Sequence, residues 1–132
     1  MVDDDPEDQE LFSQALGETA IPFHVEFASN GLEALKKIQE SKALPDIVFC
    51  DINMPIMNGL QMLEEIKKAD ALSPIPVIIY TTSSSETFKL QSKALGAVNY
   101  ITKPSSFSKM CEEIKNALKE IIKPGVSRIL HS

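Results

Sequence analysis

Asp46-Ile47-Val48-Phe49-Cys50-Asp51, continued by Ile52-Asn53-Met54-Pro55-Ile56-Met57-Asn58-Gly59, is the stretch on which the fold turns. Pro45 breaks the chain just before it, and its apolar run from Ile47 to Cys50 stops at a carboxylate. A strand that is apolar on both faces belongs inside a parallel sheet covered by helices, because a half-exposed sheet would alternate polar and apolar residues. Asp51 then stands at the carboxyl end of its strand, where open α/β sheets bind ligands. A second carboxylate run, Asp3-Asp4-Asp5, follows Val2. If the two strands are parallel neighbours, the carboxylates converge on one rim. Unit charges about 4 Å apart repel by roughly 4 kcal/mol at an effective dielectric near 20, so a hard cation such as Mg²⁺ is the natural remedy. The chemistry expected there is phosphoryl chemistry.

Working outward, Pro6 opens a helix with acids in its first turn, apolar residues Leu11, Phe12, Ala15 and Leu16 at helical spacing, and Gly17 as a stop. Phe23, Val25 and Phe27 alternate with His24 and Glu26 as in a strand, and Asn30 caps a helix carrying Leu32, Leu35 and Ile38. After the strand 46 to 51, Asn58-Gly59 precedes a third helix with Leu60, Leu63 and Ile66 facing inward. Pro74 and Pro76 flank the entry to a strand from Val77 to Thr81, and a Ser/Thr-rich turn leads into a helix from Glu86 to Leu95, stopped by Gly96. A short strand, Val98 to Ile101, is followed by a helix capped at Ser105-Ser106, carrying Met110, Ile114, Leu118 and Ile121 and ended by Pro124-Gly125. Strict β-α alternation with right-handed crossovers predicts a parallel sheet with helices on both faces. The first strand is a stub, since only Met1 and Val2 precede Asp3 where a central strand usually has about 5 or 6 residues; residues missing upstream of this sequence are the expected reason.

At 132 residues the chain is expected to be one domain over 1–123 with a short tail over 124–132 and no room for an output domain. A net charge of −6 and a pI near 4.9 argue against a direct nucleic-acid surface, which draws its affinity from clustered Lys and Arg. No stretch approaches the roughly 20 apolar residues of a membrane span and the first residues are unlike a signal peptide, so no membrane contact and a cytoplasmic location are expected. Cys50 and Cys111, like His24 and His131, show no metal-ligand spacing; buried reduced thiols are expected.

Each strand reaching the proposed rim ends in a polar residue: Asp3 and Asp4, Asp51, Thr81 and Lys103. With the motif from Asp46 to Gly59 and Tyr100-Ile101-Thr102-Lys103-Pro104, nearly the whole chain resembles the receiver domain of bacterial two-component response regulators. The resemblance implies a flavodoxin-like, doubly wound five-stranded parallel sheet of order 2-1-3-4-5. It implies that Asp51 is the phosphoacceptor, taking a phosphoryl group from a histidine kinase as an acyl phosphate. Asp4, Asp51 and the backbone carbonyl of Asn53 would hold Mg²⁺, with Asp3 steadying it directly or through water. Lys103 and Thr81 would bind phosphoryl oxygens, Thr81 and Tyr100 would couple the site to the face of the fourth helix, fifth strand and fifth helix, and Pro104 matches a cis-peptide position. The implied partners are a sensor histidine kinase or phosphotransfer protein and a separate downstream protein; a phosphorylation-driven homodimer is left open.

Taken singly, none of these signals is specific. Acidic runs are commonly solvated, a strand-end Asp is often a turn former, and Lys-Pro is an ordinary loop. Their joint occurrence carries the reading. The Thr81-to-Ser85 run could cradle a flavin phosphate, but flavodoxins use the loop after the first strand, and helix capping explains it better. Met54, Met57 and Met62 read as gap-filling core residues rather than a pliable partner surface. The alternatives are a receiver fragment of a larger regulator or hybrid kinase, a degenerate receiver that binds partners without phosphate, and a Mg²⁺-dependent phosphatase with an aspartate nucleophile. The degenerate case is disfavoured because no site position is lost. The phosphatase needs an acid/base Asp two residues after the nucleophile, where Asn53 cannot protonate a leaving group. The chain is therefore expected to be a phosphorylation-controlled switch, not an enzyme, beyond self-phosphorylation from small acyl phosphates and autodephosphorylation.

Overall fold

A computed structural model describes residues 1–121 together with the backbone of 127–129, and among the described residues five helices alternate with five strands. The helices are α1 (Pro6–Glu18), α2 (Gly31–Glu40), α3 (Gly59–Lys68), α4 (Glu86–Ala94) and α5 (Phe107–Ile121). The strands are β1 (Phe23–Val25), β2 (Val48–Cys50), β3 (Val77–Thr81), β4 (Asn99–Thr102) and β5 (Ser127–Ile129). Helix starts are set by side chains that satisfy otherwise orphaned N–H groups. Asp5 accepts from the Glu7 N–H, Asn30 from Glu33, Ser85 from Phe88, and Ser106 from Lys109. Asn58 accepts from the Gln61 N–H while the Gln61 side chain returns to the Asn58 N–H, a full capping box.

All pairings among the named strands are parallel, with β2–β3–β4 in one ladder and β1–β5 in another. The two are joined by a single residue, Val2, which bridges Ala28 on one side and Cys50 on the other. Its N–H donates to Phe49 O at 2.8 Å and its carbonyl accepts from the Asp51 N–H at 2.9 Å, while the flanking Asp3 N–H donates to Ala28 O at 3.0 Å. The expected order 2-1-3-4-5 holds, with Val2 in the place of the first strand. β1 is shorter than the Phe23-to-Phe27 alternation suggested, and β4 starts and ends one residue later than expected. Within the segment read as a tail, Ser127, Arg128 and Ile129 align with Phe23, His24 and Val25. The expected helix stop at Pro124-Gly125 lies outside the described residues.

Alternate strand residues feed two cores, one on each face of the sheet. Phe49, Ile78 and Tyr80 pack with Phe12, Ala15 and Leu16 of α1 and Ile114, Ala117 and Leu118 of α5. Val48, Cys50, Val77 and Ile79 pack with Ala34, Leu35 and Ile38 of α2 and Met62, Leu63 and Ile66 of α3. Leu32 is more than half exposed; Gly31, Ala34, Leu35 and Ile38 are the buried positions of α2. Leu60 is half-buried, and so is Cys111, whereas Cys50 is the buried thiol expected. Under the carboxyl ends of β2 and β3, Phe12, Phe49 and Tyr80 meet edge to face with ring centroids 4.9, 5.7 and 6.2 Å apart. Such pairs stabilise beyond the area they bury. Phe49→Ala should lower the unfolding free energy by about 3–5 kcal/mol in a urea titration; a loss under about 1 kcal/mol would show that this cluster does not hold α1 to the sheet.

Candidate functional site

Three chain segments deliver carboxylates to the rim because their strands end there. Asp3 follows the Val2 bridge, Asp51 follows β2, and the two backbones are tied by the Asp51 N–H to Val2 carbonyl bond. One oxygen from each of Asp3, Asp4 and Asp51 lies within 4.8 Å of the others, from a buried, an exposed and a half-buried residue respectively. The expected ligand carboxylates therefore do converge. An all-oxygen set with a solvent-facing side suits a hard divalent cation that keeps part of its water shell. Asn53, whose carbonyl is the expected fourth protein ligand, is exposed two residues beyond Asp51.

Lys103, just past the end of β4, supplies the positive charge. Its Nζ lies 2.6 Å from Asp3 Oδ2, 2.9 Å from Asp8 Oδ2 and 3.3 Å from Asp51 Oδ2, with the side chain only 7% exposed. Burial alone would lower the ammonium pKa, but the Asp3 hydrogen bond, the Asp51 charge and the Asp8 hydrogen bond outweigh it and raise it above the ordinary lysine value. Asp3 is pushed up by burial, against the opposing pull of Lys103. Asp3 Oδ1 accepts from the Asp5 N–H at 3.0 Å, and Asp51 Oδ1 accepts from the Ile52 N–H at 2.7 Å. Each carboxylate thus has its second oxygen turned to the shared ammonium.

The peptide bond before Pro104 is trans, contrary to the cis form expected there. A trans bond already lets Lys103 reach both carboxylates while its N–H donates to Thr81 O at 2.6 Å, and trans is the lower-energy form by about 0.5–1 kcal/mol. Thr81 is fully buried at the end of β3. Its Oγ1 accepts from the Ser83 N–H at 3.4 Å, and Ser83 O accepts from Tyr100 Oη at 2.7 Å. Ser83 therefore links Thr81 to Tyr100, the two expected switch residues. Tyr100 also lies under Lys89, whose Nζ is 5.9 Å from the ring centroid.

Several contributors escaped the sequence reading. Asp8 is legible in the sequence only as a first-turn acid, and Gln9, whose Nε2 donates to Asp3 O at 2.7 Å, carries no signal there. Gly59 was read as part of a helix start, but a Cβ there would lie 1.9 Å from Asp51 O. The loop between carries Ile56 at φ +67°, a left-handed conformation unusual for a β-branched residue.

A family model of the response regulator receiver domain matches residues 1–115. The CpxR homolog of Haemophilus influenzae, a transcriptional regulatory protein, is 37% identical over 125 residues, covering 95% of this chain and 52% of that protein. A protein-glutamate methylesterase/protein-glutamine glutaminase of Carboxydothermus hydrogenoformans is 38% identical over 94 residues, 70% of this chain and 26% of that one. The chain thus spans about half the length, or less, of such curated relatives. Among solved structures, the phosphorylated cyanobacterial phytochrome response regulator RcpA superposes with a TM-score of 0.85 at 28% identity, covering 94% of this chain and 92% of that one. The response regulator domain of Thermotoga maritima CheB gives 0.78 at 29% identity, covering 93% and 95%.

Two outcomes follow from this geometry. Gly59→Ala should destabilise the protein by about 1–3 kcal/mol through overpacking against the Asp51 carbonyl; unchanged urea unfolding would mean the loop gives way freely. Because the Asp3 carboxyl holds its proton to higher pH when folded than when unfolded, its contribution favours the folded state at low pH and is lost as pH rises through the raised value. The stability of Asp3→Asn relative to wild type should therefore improve as pH rises above the ordinary aspartate value of about 4; a difference that stays constant in urea unfolding as pH is raised from there would contradict the shift.

Proposed function

Because the chain belongs to the response regulator receiver domain family, we propose that it is a phosphorylation-controlled signalling switch in which Asp51 accepts a phosphoryl group from the phosphohistidine of a histidine kinase or phosphotransfer protein. The carrying observation is the single ammonium of Lys103 shared by Asp3 and Asp51 at 2.6 and 3.3 Å, at the rim where the Val2 segment, β2, β3 and β4 end. A nucleophilic carboxylate, further acids that suit a cation, and a positive group within reach of the same point are the parts that in-line phosphoryl transfer uses.

In the transfer, a carboxylate oxygen of Asp51 attacks phosphorus, the P–N bond to the donor imidazole breaks, and the electron pair leaves on that nitrogen. Asp51 ends as an acyl phosphate. Asp3, Asp4, Asp51 and the Asn53 carbonyl would hold Mg²⁺, which when bound supplies positive charge to the phosphoryl oxygens. Lys103 has to exchange a carboxylate partner for a phosphoryl oxygen, a charge-assisted bond of the same kind. Thr81 can turn its hydroxyl from the Ser83 N–H to donate to another oxygen. Doing so would release Ser83, whose carbonyl holds the Tyr100 hydroxyl, and so alter the face formed by α4, β4 and α5. That face is the proposed contact for a separate downstream protein.

A second reading rests on the curated relatives being longer than this chain: the receiver as one part of a larger response regulator or hybrid kinase. The site chemistry is the same in either setting. Among the described residues no helix is long and apolar enough to cross a membrane.

Incubation with Mg²⁺ and a small acyl phosphate should add one phosphoryl group by intact mass to the wild type and none to Asp51→Asn. No addition to the wild type, or equal addition to the variant, would overturn the assignment.

A further inference from the structure

Asp8 stands outside the carboxylate cluster, yet its Oδ2 lies nearer to Lys103 Nζ than that of Asp51 does, 2.9 against 3.3 Å. It is placed there by α1. Asp5 caps that helix, and the first turn then carries Asp8 past the rim, with its side chain 30% exposed. The Tyr80 ring closes another side of the ammonium, its centroid 5.6 Å from Nζ. An ammonium has three N–H donors and no acceptor, and here three carboxylates stand within hydrogen-bond reach of it.

Those three partners are not equivalent. Asp3 and Asp51 also belong to the group of oxygens that could hold a divalent ion, whereas Asp8 does not. An ammonium and a cation compete for the same two carboxylates, and of the three carboxylates that hold Lys103 among the described residues Asp8 alone lies outside the candidate cation group. Without Asp8, a side chain that is 7% exposed would have to place its remaining donor on Asp3 or Asp51.

We propose that Asp8 is a positioning residue that gives Lys103 a carboxylate partner outside the candidate cation group, so that the ammonium can yield Asp3 and Asp51 to a divalent cation and still be held at the rim. The later use of that ammonium by a phosphoryl oxygen rests on the reading of Asp51 as phosphoacceptor; the competition with the cation does not. The effect on the cation passes through Lys103, which separates it from the attraction that any nearby acid exerts on a positive ion.

The experiment is a calorimetric titration of the full chain with Mg²⁺ alone, for wild type, Asp8→Asn, Asp8→Glu, Lys103→Met and the Asp8→Asn/Lys103→Met pair, each first checked for folding by circular dichroism. Asp8→Asn should weaken Mg²⁺ binding about fivefold or more, the lower end of typical coupling between sites. Asp8→Glu should restore most of it, and in the Lys103→Met background the Asp8→Asn change should shrink below about twofold, as a double-mutant cycle through Lys103 requires. Equal weakening in both backgrounds, no weakening in either, or a wild type that binds no Mg²⁺ would overturn the role. A wild type that shows this coupling but gains no phosphoryl mass would remove the phosphoacceptor reading and leave Asp8 standing. Phosphoryl gain without the coupling would overturn Asp8 alone.

Discussion

Carboxylates gathered at the edge of an apolar core require a positive charge, and the placement of Lys103 between Asp3, Asp8 and Asp51 is the interaction on which the arrangement of the rim depends. It spans 100 residues of sequence from Lys103 to Asp3. Because both ends are buried or nearly so, the interaction is poorly screened by solvent, and the loss of one partner leaves the other as an uncompensated charge. The same feature makes the site responsive. Under the proposed function an arriving ion or phosphoryl group would change which carboxylate the ammonium serves, next to a Lys103 backbone tied to Thr81 by a 2.6 Å hydrogen bond.

The surroundings keep this charge cluster in register. Val2 contributes one residue of strand, yet its backbone bonds to Phe49 of β2 and to Asp51 just beyond it align Asp3 with Asp51. Gly59 lets the loop after β2 fold back against the Asp51 carbonyl, and the capping box of α3 fixes where that loop ends. Beneath, the Phe12, Phe49 and Tyr80 rings join α1 to the sheet, which places Asp8 over the same ammonium. Packing on one face and hydrogen bonding at the rim thus position the same group.

Much of this was legible because local physics agreed with the fold. The run from Ile47 to Cys50 is buried on both sides, as its continuous apolarity implied, and the helix caps at Asn30 and Ser106 act as their residue types suggested. The departures come where a partner from elsewhere in the chain decided the outcome. Leu32 faces solvent because Gly31, Ala34, Leu35 and Ile38 fill the inward positions of α2. The trans bond before Pro104 suffices because the Thr81 carbonyl and the carboxylates already orient Lys103. The pairing of β5 with β1 sets Ser127 beside Phe23, and although the alternation from Phe23 marks a strand, Ser127-Arg128-Ile129 is too short to show a period of its own.

What the order of residues determined by itself was the alternation of strands and helices and the ending of each buried strand in a polar group. Periodicity, capping and chain breaks act over a few residues and are written locally. What the tertiary structure alone decided was which of those polar groups touch: that Asp8, an ordinary acid in a helix's first turn, shares the Lys103 ammonium, that Ser83 links Thr81 to Tyr100, and that Gly59 lies against Asp51. Contacts between distant segments depend on register and on the angle at which helices cross the sheet, and those are set by packing of the whole core rather than by any neighbouring residue.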